Sequence, residues 1–165
     1  MARRRLHNED WGFETNCFVC EPKNDHGLRL PFFHDDEADT VEVEFRLDDA
    51  FSGAPSFVHG GVTLAILDEA QAWATIAVGG KFAVTTETTS RFRWPVKIGR
   101  TYKVVARVTG QDADQITTDA TVYSPNERAC VETTATFAVL SAANAIRAIG
   151  SDVREQHGSL LKDGE

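Results

Sequence analysis

The clearest pattern in the chain is an alternation. From Thr40 to Leu47, Val41, Val43, Phe45 and Leu47 fall on one side while Glu42, Glu44 and Arg46 fall on the other. A period of two with one apolar face predicts a half-buried strand. Leu28-Arg-Leu-Pro-Phe-Phe33 reads as a short strand before it, with Pro31 confining it to an edge or a strand end. A loop with Gly53 and Pro55 leads to Gly60-Gly61, and there the pattern changes. From Val62 to about Val78 nearly every position is apolar or small, which predicts a buried helix about 25 Å long, stopped by Gly79-Gly80. Four strand-like segments follow without another helix between them, at roughly 82–94, 101–110, 115–124 and 128–140. Pro95 with Lys97-Ile-Gly-Arg100, Gln111-Asp-Ala-Asp114 and Ser124-Pro-Asn-Glu127 supply the turns. The tail from Ala142 predicts a short helix over 143–149, with fraying beyond it. A lone apolar helix must be covered, and one antiparallel sheet curled around it does so, so the expected class is α+β. The expected units are an N-terminal extension over 1–26, the domain over 27–141 and a tail over 142–165. The sheet leaves an edge to bury against a second copy, so a homodimer is expected, with pairing into tetramers left open.

Composition narrows the function. At 165 residues and 42% hydrophobic the chain suits one globular domain. A net charge of −8 argues against a nucleic-acid partner. No apolar run is long enough to span a bilayer, and Met1-Ala-Arg-Arg-Arg-Leu6 has no signal-peptide core, so a cytoplasmic protein without a membrane partner is expected. The charge is uneven. Residues 35–49 hold eight acids and one base, and residues 81–107 hold seven bases and one acid. The basic stretch could attract an anionic ligand. Cys17-Phe-Val-Cys20 has the spacing of a metal or redox pair, but only His26 and His34 lie nearby and no second such pair exists. The two cysteines, and Cys130, are therefore read as small apolar residues, and no metal or cofactor is expected.

Three features carry candidate chemistry. Asp68-Glu69 interrupts the apolar helix, and an unpaired buried carboxylate costs several kcal/mol, so such a group is paired, protonated or used. Neighbours differ by about 100° around a helix, so the two acids face different surroundings. His59-Gly60-Gly61 opens the helix with unobstructed N–H groups and the positive end of the helix dipole, a place to hold an oxyanion. The Thr-rich run Val84 to Ser90 puts Thr85, Glu87, Thr89, Arg91 and Arg93 on one face by simple alternation, with Thr86, Thr88, Ser90, Phe92 and Trp94 on the other. No GxSxG, Walker, GxGxxG or HExxH pattern is present.

The stretch Pro55-Ser-Phe-Val-His-Gly-Gly-Val-Thr-Leu-Ala-Ile-Leu-Asp-Glu-Ala70 resembles the helix-start signature of hotdog-fold acyl-CoA thioesterases, of the phenylacetate-pathway and thioesterase-superfamily-member branches. Ala83-Val-Thr-Thr and Phe92-Arg-Trp-Pro-Val-Lys-Ile-Gly99 resemble the strand and proline turn that follow, and the N-terminal Cys-Phe-Val-Cys segment resembles extensions seen in some members. The resemblance spans roughly residues 40–140. It implies a hotdog, a sheet wrapped around one central helix, that hydrolyses acyl-CoA at a site between two subunits. It places the helix carboxylate on Asp68, with Glu69 as fallback. The oxyanion amide falls on Gly60, with Gly61 beside it and His59 at the entry. The assisting hydroxyl falls on Thr85, or on Thr86 if the strand slips by one. Many relatives carry an Asn six residues before the His, where this chain has Gly53, and Asn24 is too distant to replace it. Arg93, Lys97 and Arg100 are candidates for the coenzyme A phosphates; coenzyme A enters as part of the substrate. Trp73, Phe82 and Phe57 are candidate pocket residues. Two rival readings use the same fold. One is a noncatalytic acyl-CoA-binding module. The other is an acyl-thioester hydratase or dehydratase, a class that usually places Asn and His after the helix Asp, where this chain has Glu69, Ala70, Gln71 and Ala72.

Overall fold

A computed structural model describes residues 3–12 and 14–163. Its seven strands are β1 (Arg3–Arg5), β2 (Phe33–Asp35), β3 (Thr40–Phe45), β4 (Ala83–Phe92), β5 (Tyr102–Gln111), β6 (Gln115–Tyr123) and β7 (Ala129–Val139). The helices are α1 (Gly60–Ala77), α2 (Ala142–Ile149) and α3 (Arg154–His157). All strand pairs are antiparallel, in the order β1-β2-β3-β5-β6-β7-β4. The alternation in β3 predicts its burial correctly: Val41, Val43 and Phe45 are buried while Glu44 is exposed. Glu42, on the outer face, pairs with Lys103 at 2.9 Å and with Arg3 at 3.7 Å.

The sheet curls around α1, which packs on β3, β5 and β6 through Ile66, Leu67, Ala70, Trp73 and Ala74. One polar tie crosses this interface: buried Gln71 donates from Nε2 to Thr118 Oγ1 at 3.0 Å. The helix ends where Gly79 passes so close to the Thr75 carbonyl that a Cβ would stand 2.8 Å from it, and Gly80 takes φ +67°.

Three expectations need correcting. Residues 28–32 are not a strand of the main sheet. Instead Leu28 and Leu30 donate to the carbonyls of Phe18 and Val19, which ties this segment to the Cys17–Cys20 turn, and sheet pairing begins at Phe33. Strand β1 lies within the expected extension and lacks any hydrophobic signature, being three arginines paired with β2. The described stretch after α2, up to Asp163, is packed rather than frayed. Leu160 accepts from Phe82 N at 2.7 Å, and Phe82, Leu140, Ala145, Val153, Leu160 and Leu161 form a second apolar cluster. The sequence carries these leucines without periodicity, so nothing short of the packed partner, Phe82, marks them as core.

Strand β4 closes the order at one edge of the sheet and is exposed along most of its length. It also holds a bulge. Thr85 pairs with Phe137 and Glu87 with Thr136, leaving Thr86 unopposed. The extra residue reverses the alternation. Thr85, Thr88, Ser90 and Phe92 stand opposite Phe137, Ala135, Thr133 and Val131, all of them buried, so these four share the helix-facing side. Simple alternation had put Thr85 and Phe92 on opposite faces.

Candidate active site

The bulge brings one strand hydroxyl to the helix. Thr85 donates from Oγ1 to Asp68 Oδ1 at 2.6 Å, the short length expected when the acceptor is charged. Thr86 is spent elsewhere, its hydroxyl donating to the Thr136 carbonyl at 3.1 Å. Of the two threonines that the sequence left open, Thr85 meets the carboxylate. Asp68 is not enclosed, contrary to the expectation from an all-apolar helix. It is exposed on the side of α1 that the sheet leaves uncovered, beside the edge strand β4. The apolar positions around it (Leu64, Ala65) are only half-buried in a single chain.

Glu69 faces a different part of the molecule, as the 100° step requires. Its Oε1 accepts from Cys17 Sγ at 3.4 Å. Burial raises its carboxyl to about 8, reinforced by the charge of Cys17. The Cys17 thiol is lowered, first by its hydrogen bond with the Cys20 thiol, and Cys20 is pushed up in turn. Glu69 is therefore set apart from Asp68 and does not stand in for it at the Thr85 hydroxyl.

The helix entry is fixed by short bonds from two directions. Val58 donates to the Val96 carbonyl at 2.8 Å, Ile98 to Ser56 at 3.0 Å, and His59 to Phe51 at 2.8 Å. The His59 imidazole caps the helix, with Nδ1 accepting from Gly61 N at 2.9 Å. The His59 ring thus serves the turn at the helix start. This also corrects the place of Gly61: its N–H is already donated. The Gly60 N–H has no acceptor among the described residues and sits at the positive end of the helix dipole. Gly53 lies against this cap. A Cβ there would stand 3.2 Å from the His59 Cα, so the position expected to hold Asn has little room for a side chain.

Beside Gly60 runs an open groove of about 450 Å³ lined by Phe57, His59, Phe92, Arg93 and Trp94 among others. The Phe92 ring passes 3.6 Å from where a Gly60 Cβ would be. Phe57, Phe92 and Trp94 are all large, apolar and exposed. Phe92 and Trp94 escaped the sequence reading because the bulge hid their face. Of the other pocket candidates, Phe82 belongs to the C-terminal cluster, and Trp73 borders a separate cavity at the N-terminal segment.

The three basic candidates separate. Arg93 is ion-paired through Nε with Glu132 Oε2. Lys97 lies opposite Phe57 in an isolated bridge, two residues from the helix cap, and its side chain is exposed. Arg100 is exposed in the turn before β5. Neither Lys97 nor Arg100 makes an ion pair among the described residues.

Distance decides how such a site can work. Gly60 and Asp68 are eight residues apart on one helix, about 12 Å along its axis. An oxyanion donor and a directly attacking carboxylate must both reach one carbonyl group within about 3 Å, and a base acting through water adds about one water diameter. The separation along one helix is longer than direct attack allows, so the two groups of one chain are poorly placed to act on the same substrate.

The sequence from residue 56 to 131 matches the Thioesterase superfamily. Among solved structures, a thioesterase superfamily protein superposes with a TM-score of 0.70 at 24% identity, over 74% of this chain and 60% of its own length. The chain thus spans less than two thirds of that relative. A protein of Streptococcus mutans UA159, solved bound to acetyl CoA, gives a TM-score of 0.58 at 23% identity over 61% of this chain and 81% of its own. A phenylacetic acid degradation-related protein of Ralstonia eutropha JMP134 gives 0.56 at 25% identity over 64% of this chain and 80% of its own. No curated protein matches the sequence. The chain therefore has the hotdog fold, and the part that builds α1, β4, β5, β6 and the start of β7 is the part that matches the Thioesterase superfamily.

Proposed function

We propose that the protein is an acyl-CoA thioesterase that works as a homodimer, each site drawing Gly60 from one subunit and Asp68 with Thr85 from the other. The observation that carries this reading is the Thr85–Asp68 hydrogen bond at an uncovered edge, about 12 Å along α1 from the free Gly60 amide. Pairing through the exposed β4 edge would satisfy the unpaired strand and bring the two halves together. The CoA-bound and thioesterase-superfamily relatives support the substrate class.

In the reaction, the Gly60 N–H donates to the thioester oxygen as negative charge gathers there. Asp68 either removes a proton from water as it attacks the carbonyl carbon, or attacks directly to form a mixed anhydride that water then opens. The carbon–sulfur bond breaks and the CoA thiolate takes up the proton. Thr85 holds the carboxylate in place. The acyl chain would run along Phe57, Phe92 and Trp94, and Lys97 and Arg100 are better placed than the paired Arg93 to meet phosphate. Thiol release from a panel of acyl-CoAs tests the reading. Wild type should turn over at least one member of the panel, and Asp68→Asn should lose about 10²–10⁴ in kcat while keeping its dimer. Binding without turnover in wild type would favour the noncatalytic module, and an enoyl or hydroxyacyl product would favour the hydratase.

A further inference from the structure

We propose that Cys17, Cys20 and Glu69 form a binding site for one zinc-class divalent ion, with the fourth coordination position open to the adjoining cavity. The two Sγ atoms and a Glu69 carboxylate oxygen all lie within 4.8 Å of one another. The third donor comes from α1, 49 residues beyond Cys20, so the spacing of the cysteine pair gives no sign of it. N–H groups converge on both sulfur atoms. Val19 N and Cys20 N point at Cys17 Sγ at 3.4 and 3.5 Å, and Asn8 Nδ2 points at Cys20 Sγ at 3.4 Å. Such N–H···S contacts hold and orient the ligands of a metal site. Glu69 is half-buried, and no basic side chain pairs with it among the described residues. Three donor atoms turned inward on one another, with no cation among them, make a cluster that a doubly charged ion would hold as the thiols and the carboxyl give up their protons.

The loop around the cluster is built to hold this shape. Asn24 is buried, donates from Nδ2 to the Asn16 carbonyl at 3.0 Å and accepts from His26 N at 3.0 Å. A Cβ on Gly27 would stand 2.6 Å from the Phe18 carbonyl, so only glycine lets the following segment lie on the turn. Two thiolates and a carboxylate select zinc over magnesium or calcium, which prefer oxygen ligands. Cys20 borders a cavity of about 480 Å³ with Leu6, His7, Asn8, Leu30 and Trp73, and this leaves room for a water ligand. Binding would release the protons still held by the thiols and the carboxyl, without redox change. The ion would clamp the N-terminal segment onto α1.

The test uses the full-length protein, reduced, stripped with chelator and then titrated with Co²⁺ and with Zn²⁺ against a chromophoric competitor. Wild type should take up about one ion per chain and give the intense near-ultraviolet thiolate-to-cobalt band with tetrahedral visible bands. Cys17→Ser and Cys20→Ser should each weaken binding by at least about 100-fold, and Glu69→Gln should weaken it and shift the visible bands. Cys130→Ser should bind as wild type. Circular dichroism checks that each variant is folded. Absence of stoichiometric uptake by folded wild type overturns the proposal, as does unchanged binding in folded Cys17→Ser and Cys20→Ser. Isolation of the chain with a stable Cys17–Cys20 disulfide that excludes metal also overturns it.

Discussion

Mixing two inactive variants gives the sharpest test of a site shared between subunits. Asp68→Asn removes the base or nucleophile and leaves an acceptor for the Thr85 hydroxyl. Gly60→Pro removes the oxyanion donor, and the structure makes it a mild change. Proline is favoured at the first helical position, and the preceding His59 already has φ −58° and ψ 131°, the extended conformation that a following proline demands. A Cβ at Gly60 meets nothing nearer than the edge of Phe92 at 3.6 Å. Each homodimer should be about 10²–10³ below wild type or lower, equivalent to about 2.7–4 kcal/mol of lost transition-state stabilisation. In a mixed dimer one site inherits both defects and the other neither. Random exchange makes about half of all dimers mixed, so about a quarter of wild-type activity should return. The assay is thiol release from a substrate that wild type turns over, after partial denaturation and refolding of an equimolar mixture, with native mass spectrometry to count mixed dimers. If mixed dimers form and activity stays at the level of the parents, the site does not cross the interface and the reasoning from helix length is wrong.

Three further expectations concern single positions. Thr85→Val deletes one hydrogen bond to a charged group, worth about 1.5–3 kcal/mol when protected from water; its exposure in the single chain points to the lower end, about a tenfold loss in kcat with KM little changed, measured by steady-state kinetics. Gly27→Ala drives a Cβ into the Phe18 carbonyl and should cost about 1–3 kcal/mol in urea unfolding; an unchanged midpoint would show that the loop yields freely. Leu161→Ala opens the C-terminal cluster over Phe82 and should cost about 2–5 kcal/mol, seen as a lower thermal midpoint, with kcat of the folded enzyme unaltered.

The central helix and the strands after it were legible because they rest on local rules, an apolar run and paired glycines, and Asp68 and Gly60 stood out as candidates for the same reason. What escaped depends on contacts between distant parts of the chain. The bulge at Thr86 leaves no mark on composition, since Thr85 to Thr89 read as one β-prone run, yet it decides that Thr85 and Phe92 look the same way. The exposure of Asp68 was misread because an apolar helix surface signals burial without saying whether the cover comes from the same chain. Glu69 was visible as an anomaly, but its neighbours, the cysteines of the N-terminal turn, are set by a packing that no spacing rule encodes. The leucines at 160 and 161 were lost to the expected fraying for the same reason.

Asp68 and Glu69 are consecutive, so neither can turn about the helix axis without carrying the other with it. A grip on the second acid, applied from the cysteine turn, therefore fixes the angle at which the first is offered to whatever lies beyond the sheet edge. The N-terminal segment holds the far side of the same spindle, and loosening it would be felt at a carboxylate that it never touches.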